Sequence, residues 1–124
     1  MHDDTFRSDL DREYPCLLEL YKDLHAHPEL SGQEAWTSER VGKELEAAGF
    51  VTTRGVGGYG VVGVLTRGTG PVVMVRADMD GLPLKEETGL PYTSREKTHD
   101  ARGQEVHVMH ACGHDLHMAA LIGA

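Results

Sequence analysis

The chain has 124 residues, 40% of them hydrophobic and 26% charged, with 15 glycines and 5 prolines, which is the size of one domain and the composition of a folded globular chain, not a disordered or collagenous one. Twelve Lys and Arg against twenty Asp and Glu leave a formal charge of −8, which repels phosphate backbones and anionic lipid surfaces on average and argues against nucleic-acid and membrane partners. No apolar run approaches the length of a membrane span, and the Met-His-Asp-Asp-Thr-Phe start lacks the basic end and apolar core of a signal peptide, so the expected compartment is the cytoplasm.

From Ser8 to His27, the residues Leu10, Tyr14, Leu17, Leu18, Tyr21 and Leu24 recur at three- and four-residue steps between charged side chains. This predicts an amphipathic helix ended by Pro28. Ser31 followed by Glu34 has the pattern of a capping box, and Trp36, Val41, Leu45 and Ala48 supply the apolar face of a second helix closed by Gly49. After Gly49 the periodicity shortens. Phe50 to Thr53, Val61 to Thr66 and Val72 to Val75 are β-branched and bounded by glycines, so they read as strands. The last is apolar on both faces, the pattern of a central strand covered by helices, and its carboxyl end is where an open α/β sheet places a ligand site. Leu84 to Gly103 reads as a polar, turn-rich loop and Val106 to Met109 as a short strand. A strongly apolar helix then starts at Leu116 with little chain left to pack on, so the ending reads as a cut that leaves apolar surface exposed.

Four of the eight histidines, His107, His110, His114 and His117, fall within eleven residues around Cys112. Cys112 and His114 are two apart, a spacing that can place both side chains on one side of an extended or loop backbone, with Gly113 between them to relax it. Thiolate and imidazole suit zinc and its neighbours, and carboxylates widen the choice to manganese or cobalt. A catalytic zinc takes about three protein ligands and a water, so the remainder must come from His110, His117, Asp78, Asp80 or residues outside the chain. The same residues admit other readings: imidazoles hydrogen-bonded in a partly buried turn, a Cys112 nucleophile with His114 as base, and Asp78 and Asp80 as strand-end caps. His25 and His27 read as cations at a helix C-terminus. Cys16 reads as a structural residue of the first helix, and both cysteines as reduced thiols.

Three segments resemble the signatures of the peptidase M20 amidohydrolases, in the branch of N-acyl-amino-acid, hippurate and indole-acetyl-amino-acid hydrolases. They are Leu24-His25-Ala26-His27-Pro28-Glu29-Leu30-Ser31 with Glu34, Arg76-Ala77-Asp78-Met79-Asp80-Gly81-Leu82-Pro83, and His110-Ala111-Cys112-Gly113-His114-Asp115-Leu116-His117. The resemblance implies an α/β fold of helices packed on a mixed sheet. Residues 1–124 would form the N-terminal portion of a dinuclear-metal hydrolase catalytic domain, with the lid or dimerisation domain outside the chain. It implies that Cys112 and His114 are metal ligands and that Asp80 is the catalytic-site aspartate that orients a metal-ligand histidine. The position two before it is Asp78 and not histidine, so Asp80 lacks the partner that the wider family provides. Gly81 stands where this branch often has alanine, a change expected to be harmless.

The resemblance further implies two divalent ions in the complete enzyme, drawn from zinc, manganese, cobalt or nickel. It implies a small-molecule substrate, an N-acyl amino acid or similar amide, and leaves room for a homo-oligomer. In the family a Glu-Glu pair that supplies the general base and a ligand follows the Cys-Gly-His motif, whereas Glu86-Glu87 precedes it and cannot substitute. The chain is therefore expected to be a truncated form, inactive by itself. A stand-alone metal-binding module without hydrolase activity is the alternative.

Overall fold

The computed structural model describes residues 2–124, with side chains from Asp4 onward. The elements in chain order are α1 (His2–Ala26), α2 (Ala35–Ala47), β1 (Val51–Val56), β2 (Gly60–Val64), β3 (Lys97–His99), β4 (Glu105–His107) and α3 (His114–Gly123). Among the described residues no helix is long and apolar enough to cross a membrane.

The apolar stripe of α1 enters the core only in its second half. Leu20 and Leu24 are buried against Met118 and Ala119 of α3 and Val41 and Leu45 of α2, whereas Leu10 and Tyr14 are exposed. Pro15 lies inside the exposed half, where water can satisfy the carbonyl that loses its backbone donor. The burial of Met118 and Ala119, at 2% and 4% exposure, corrects the expectation that the last helix has little to pack on: α1 is its partner.

The start of α2 also differs from the capping-box expectation. Glu34 occupies the N-cap position without a side-chain capping bond. The carboxylate of Glu29, from the segment before the helix, caps it instead, accepting from the Trp36 amide at 3.1 Å and from the Thr37 amide and hydroxyl at 2.6 and 2.7 Å. An anion there satisfies orphan amides and complements the helix dipole. At the other end Gly49 takes φ +89°, with Phe50 N bonded to Leu45 O and Gly49 N to Glu46 O, the Schellman closure that its glycine predicts. Trp36 is half-exposed and packs at a tilt against the His27 ring, so the buried face of α2 is built from Thr37, Ser38, Val41, Gly42 and Leu45.

Strands β1 and β2 form an antiparallel hairpin from Val51↔Val64 to Val56↔Gly60 with an irregularity at Gly55. It lies on α2, and Gly63 admits Phe50 and Leu45 so closely that a Cβ there would sit 3.1–3.3 Å from them. Strands β3 and β4 form a second, shorter antiparallel pair. The segment Val72 to Val75 departs from expectation. It carries no ladder, and its side chains are 99%, 81%, 84% and 65% exposed. Its two-sided apolar pattern states what the segment needs for burial; among the described residues both hairpins pair only with themselves.

Two isolated bridges stitch the three sequence motifs together. Leu30 pairs in parallel with Gly81, and Leu82 pairs antiparallel with Met109, with Gly81 N donating to Glu29 O at 2.7 Å and Leu82 and Met109 exchanging bonds of 2.8 and 3.0 Å. Helices packed on strands of mixed direction uphold the α/β class. Gly81 sits closely in this crossing: a Cβ would come within 3.1 Å of Pro28 and Val108 and 3.2 Å of the Met109 carbonyl.

Candidate metal centre

Beyond the exposed segment, Arg76 to Asp80 runs along an open cleft of about 460 Å³ whose lining includes Ser31, Glu34, Arg76, Asp78, Asp80 and His114. His114 is the first residue of α3, reached through Gly113 in the left-handed region at φ +82°. The His114 ring is held from one side: Nδ1 lies 2.9 Å from the Asp80 carbonyl oxygen and 3.0 Å from its carboxylate. Both neighbours are acceptors, so Nδ1 is the nitrogen that donates to Asp80, and Nε2 lies on the other edge of the ring. Nε2 lies 3.8 Å from Asp78 Oδ2, beyond a hydrogen bond. The other oxygen of Asp78 takes a 2.6 Å bond from the Arg76 guanidinium.

The remaining candidates are placed less uniformly. Cys112 is an exposed free thiol. The His117 ring lies on the same helix, 6.1 Å from that of His114. His110 is 4% exposed, and both its ring nitrogens lack a partner; burial pushes its pKa down and favours the neutral ring. Among the described residues no three His, Cys, Asp or Glu side chains converge on one point that would hold a metal ion.

Asp80, which lacks a histidine two residues before it, thus finds one in His114. Residues 74–124 match the model of peptidase family M20/M25/M40, a stretch that takes in Asp78, Asp80, Cys112 and His114. The similarity extends over most of the chain. It reaches 39% identity over 109 residues with the N-acetyl-L-cysteine deacetylase of Bacillus subtilis, covering 87% of this chain. Over residues 74–124 the chain is similar to peptidase family M20.

A second relative, the hippurate hydrolase of Campylobacter jejuni, is 41% identical over 100 residues, 80% of this chain. A solved Bacillus subtilis structure, described as a dinuclear metal binding peptidase from the M20 family, superposes with a TM-score of 0.76 at 36% identity over 90% of this chain and 29% of its own. The chain spans 24% of the length of both curated relatives.

The chain also holds a buried cluster that its motifs do not announce. His25 lies in the last turn of α1, as expected, and its ring is buried. Its Nδ1 lies 2.7 Å from Asp115 Oδ2 and its Nε2 3.0 Å from Glu86 Oε2. Two carboxylate partners require a donor at each nitrogen, so the ring is an imidazolium. Burial opposes that charge, but the bonds to Glu86 and Asp115 outweigh it and raise the pKa. Glu86 shows the converse: burial works against its charge, while Thr88, His25 and the Ser94 amide hold its pKa below the ordinary value. The pairs are separated by 61 and 90 residues, and no local pattern reports such separations. His27, by contrast, is exposed and bonds back to the Asp23 carbonyl at 2.8 Å.

Proposed function

We propose that the chain forms part of the catalytic domain of a metal-dependent amidohydrolase that cleaves the amide bond of N-acyl amino acids or similar small amides. The observation that carries this reading is the His114–Asp80 pair, in which a carboxylate and a carbonyl fix one ring nitrogen and leave the other as a free donor on an acidic cleft. Metal-ligating histidines are held in this way. The donor types suit a divalent cation whose remaining ligands come from outside these residues: imidazole Nε2 and the accessible Cys112 thiol suit zinc, and neighbouring carboxylates admit manganese, cobalt or nickel.

His114 and Cys112 would hold the ion. When bound, it would supply Lewis-acid polarisation of the scissile carbonyl and an acidified water. Asp80 aims the His114 ring. Asp78 is turned by Arg76 and keeps one oxygen 3.8 Å from Nε2, which places negative charge beside the proposed cation. Two ions per complete enzyme, a small-molecule substrate and a general base supplied from outside these residues belong to the same proposal. So does the assignment of residues 1–124 to the N-terminal portion of the catalytic domain. The relatives' names support the amide chemistry, one being a deacetylase and the other a hippurate hydrolase.

Metal content by elemental analysis, with hydrolysis of N-acetyl and N-benzoyl amino acids by the full-length protein and by residues 1–124, tests the reading. Metal-dependent turnover by the full-length protein and little by the 124 residues is expected. Bound metal without turnover in either would instead identify a metal-binding module.

A further inference from the structure

His114 and Asp115 are consecutive at the first turn of α3, so their side chains leave the helix about 100° apart. One is anchored to Asp80 beside the cleft and the other to His25 of α1. Gly113 makes no side-chain capping bond. These two side-chain anchors therefore fix how the first turn of α3 is rotated. The inner anchor is the more enclosed: the side chains of His25, Asp115 and Glu86 are 6%, 3% and 0% exposed. Glu86 is itself held, accepting from the Ser94 amide at 2.9 Å and from the Thr88 hydroxyl. Ser94 Oγ in turn donates to the Val108 carbonyl at 2.8 Å, just past β4 on the segment leading into the Cys-Gly-His turn.

We propose that His25 is a positioning residue for the metal centre: clamped between Asp115 and Glu86, it sets the rotation of the first turn of α3 and so the aim of His114 into the cleft. This rests on the reading that His114 holds a metal ion. A buried cation joining two carboxylates is a costly way to fill space, and breaking it leaves charge uncompensated in the core. The clamp ties α1, the 86–94 segment and α3 at the one helix end that carries the proposed ligand.

The test uses the full-length protein with His25→Gln, Glu86→Gln and, as a core control, Leu20→Ala. Zinc affinity is measured by competition with a chromophoric chelator, the thiolate-to-cobalt absorption of the cobalt-loaded protein reports ligand geometry, and far-UV circular dichroism and thermal midpoints report the fold. Both clamp variants should weaken zinc binding roughly tenfold or more and alter the cobalt band. Leu20→Ala should lower the midpoint and leave affinity and band unchanged. Wild-type affinity and spectrum in His25→Gln, or equal weakening in Leu20→Ala, would overturn the proposal. Should the clamp variants not fold, the wild-type protein decides: zinc should shift the His25 ring N–H resonances, and unmoved resonances count against the clamp. A wild-type protein that binds neither zinc nor cobalt removes the metal reading and this inference together. Normal wild-type binding with unaltered variants removes this inference alone.

Discussion

Asp80 reaches His114 twice, through its backbone carbonyl at 2.9 Å and its carboxylate at 3.0 Å, both at Nδ1. The aspartate is therefore a complete holder for one histidine ring, and Asp78 at the preceding alternate position is free to face the cleft. Asp80→Asn removes the charge but keeps the carbonyl. Metal affinity or turnover should fall about tenfold, the lower end for a group that orients a ligand, with the circular dichroism unchanged. Unaltered kinetics would reduce Asp80 to a turn residue.

Cys112→Ser and His114→Ala each remove a proposed ligand atom. Both variants should lose bound metal and nearly all hydrolytic activity, because such a site binds through few donors and loses affinity steeply with each. His117→Ala, which removes an exposed ring on the outer side of the same helix, should retain metal. Elemental analysis of the three purified variants separates these outcomes, and full occupancy without Cys112 and His114 would sink the ligand assignment.

The helices and the hairpin were legible because their signals are local: apolar spacing along α1, Gly49 after α2, and β-branched runs between glycines. The features that organise the site are not local. Ser31 and Glu34 offered the right cap spacing for α2, yet Glu29 outcompetes them because the Leu30–Gly81 bridge fixes the chain with the Glu29 carboxylate over the helix end. Glu86 looked like half of a misplaced Glu-Glu pair and is the buried partner of His25. Asp78 and Asp80 were visible as a pair, but only the folded chain shows that Asp80 serves His114. Val72 to Val75 carries a strong strand pattern, and a pattern cannot say where the paired strands are.

The His25 clamp has a pH signature. Its folded pKa is raised above that of the unfolded chain, so the stabilisation it provides is fully present below the ordinary histidine pKa and is lost as pH rises through the raised value. The ring is also faced by Tyr21 on its own helix, by Tyr92, and by the neutral His110, whose depressed pKa acts in the opposite sense. A difference measurement isolates His25: the stability gap between wild type and His25→Gln should narrow on going from weakly acidic to alkaline buffer. Near neutral pH, His25→Ala should cost about 3–5 kcal/mol, the range for breaking a buried ion pair. Urea melts across that pH range check both statements, and a constant gap would show that the ring does not titrate between its carboxylates.

Glu29 caps α2 with both carboxylate oxygens. Glu29→Ala should destabilise the protein by about 1–2 kcal/mol, the upper part of the range for losing a capping side chain. Glu29→Gln should cost less, since its amide oxygen can still accept one of the bonds. Denaturant unfolding monitored by the single tryptophan gives the comparison. Equal stability in all three proteins would mean that water caps the helix as well as the carboxylate does.

The exposed Val72 to Val75 segment predicts how the 124-residue chain behaves in solution. An extended apolar run with unpaired backbone groups is a template for strand addition, and here no charged side chain interrupts it. The formal charge of −8 opposes self-association at low ionic strength, and salt screens that repulsion. Association should therefore increase with salt, the reverse of the behaviour of a surface held together by ion pairs. Val73→Glu adds a like charge to the run and should keep the chain monomeric at high salt. Leu116→Glu, on the outer face of α3 and 57% exposed, should leave association unchanged, because the inner face of that helix is already covered by α1. Sedimentation velocity on the three proteins at low and high salt distinguishes the surfaces: loss of association in Leu116→Glu alone would place the adhesive patch on α3 instead.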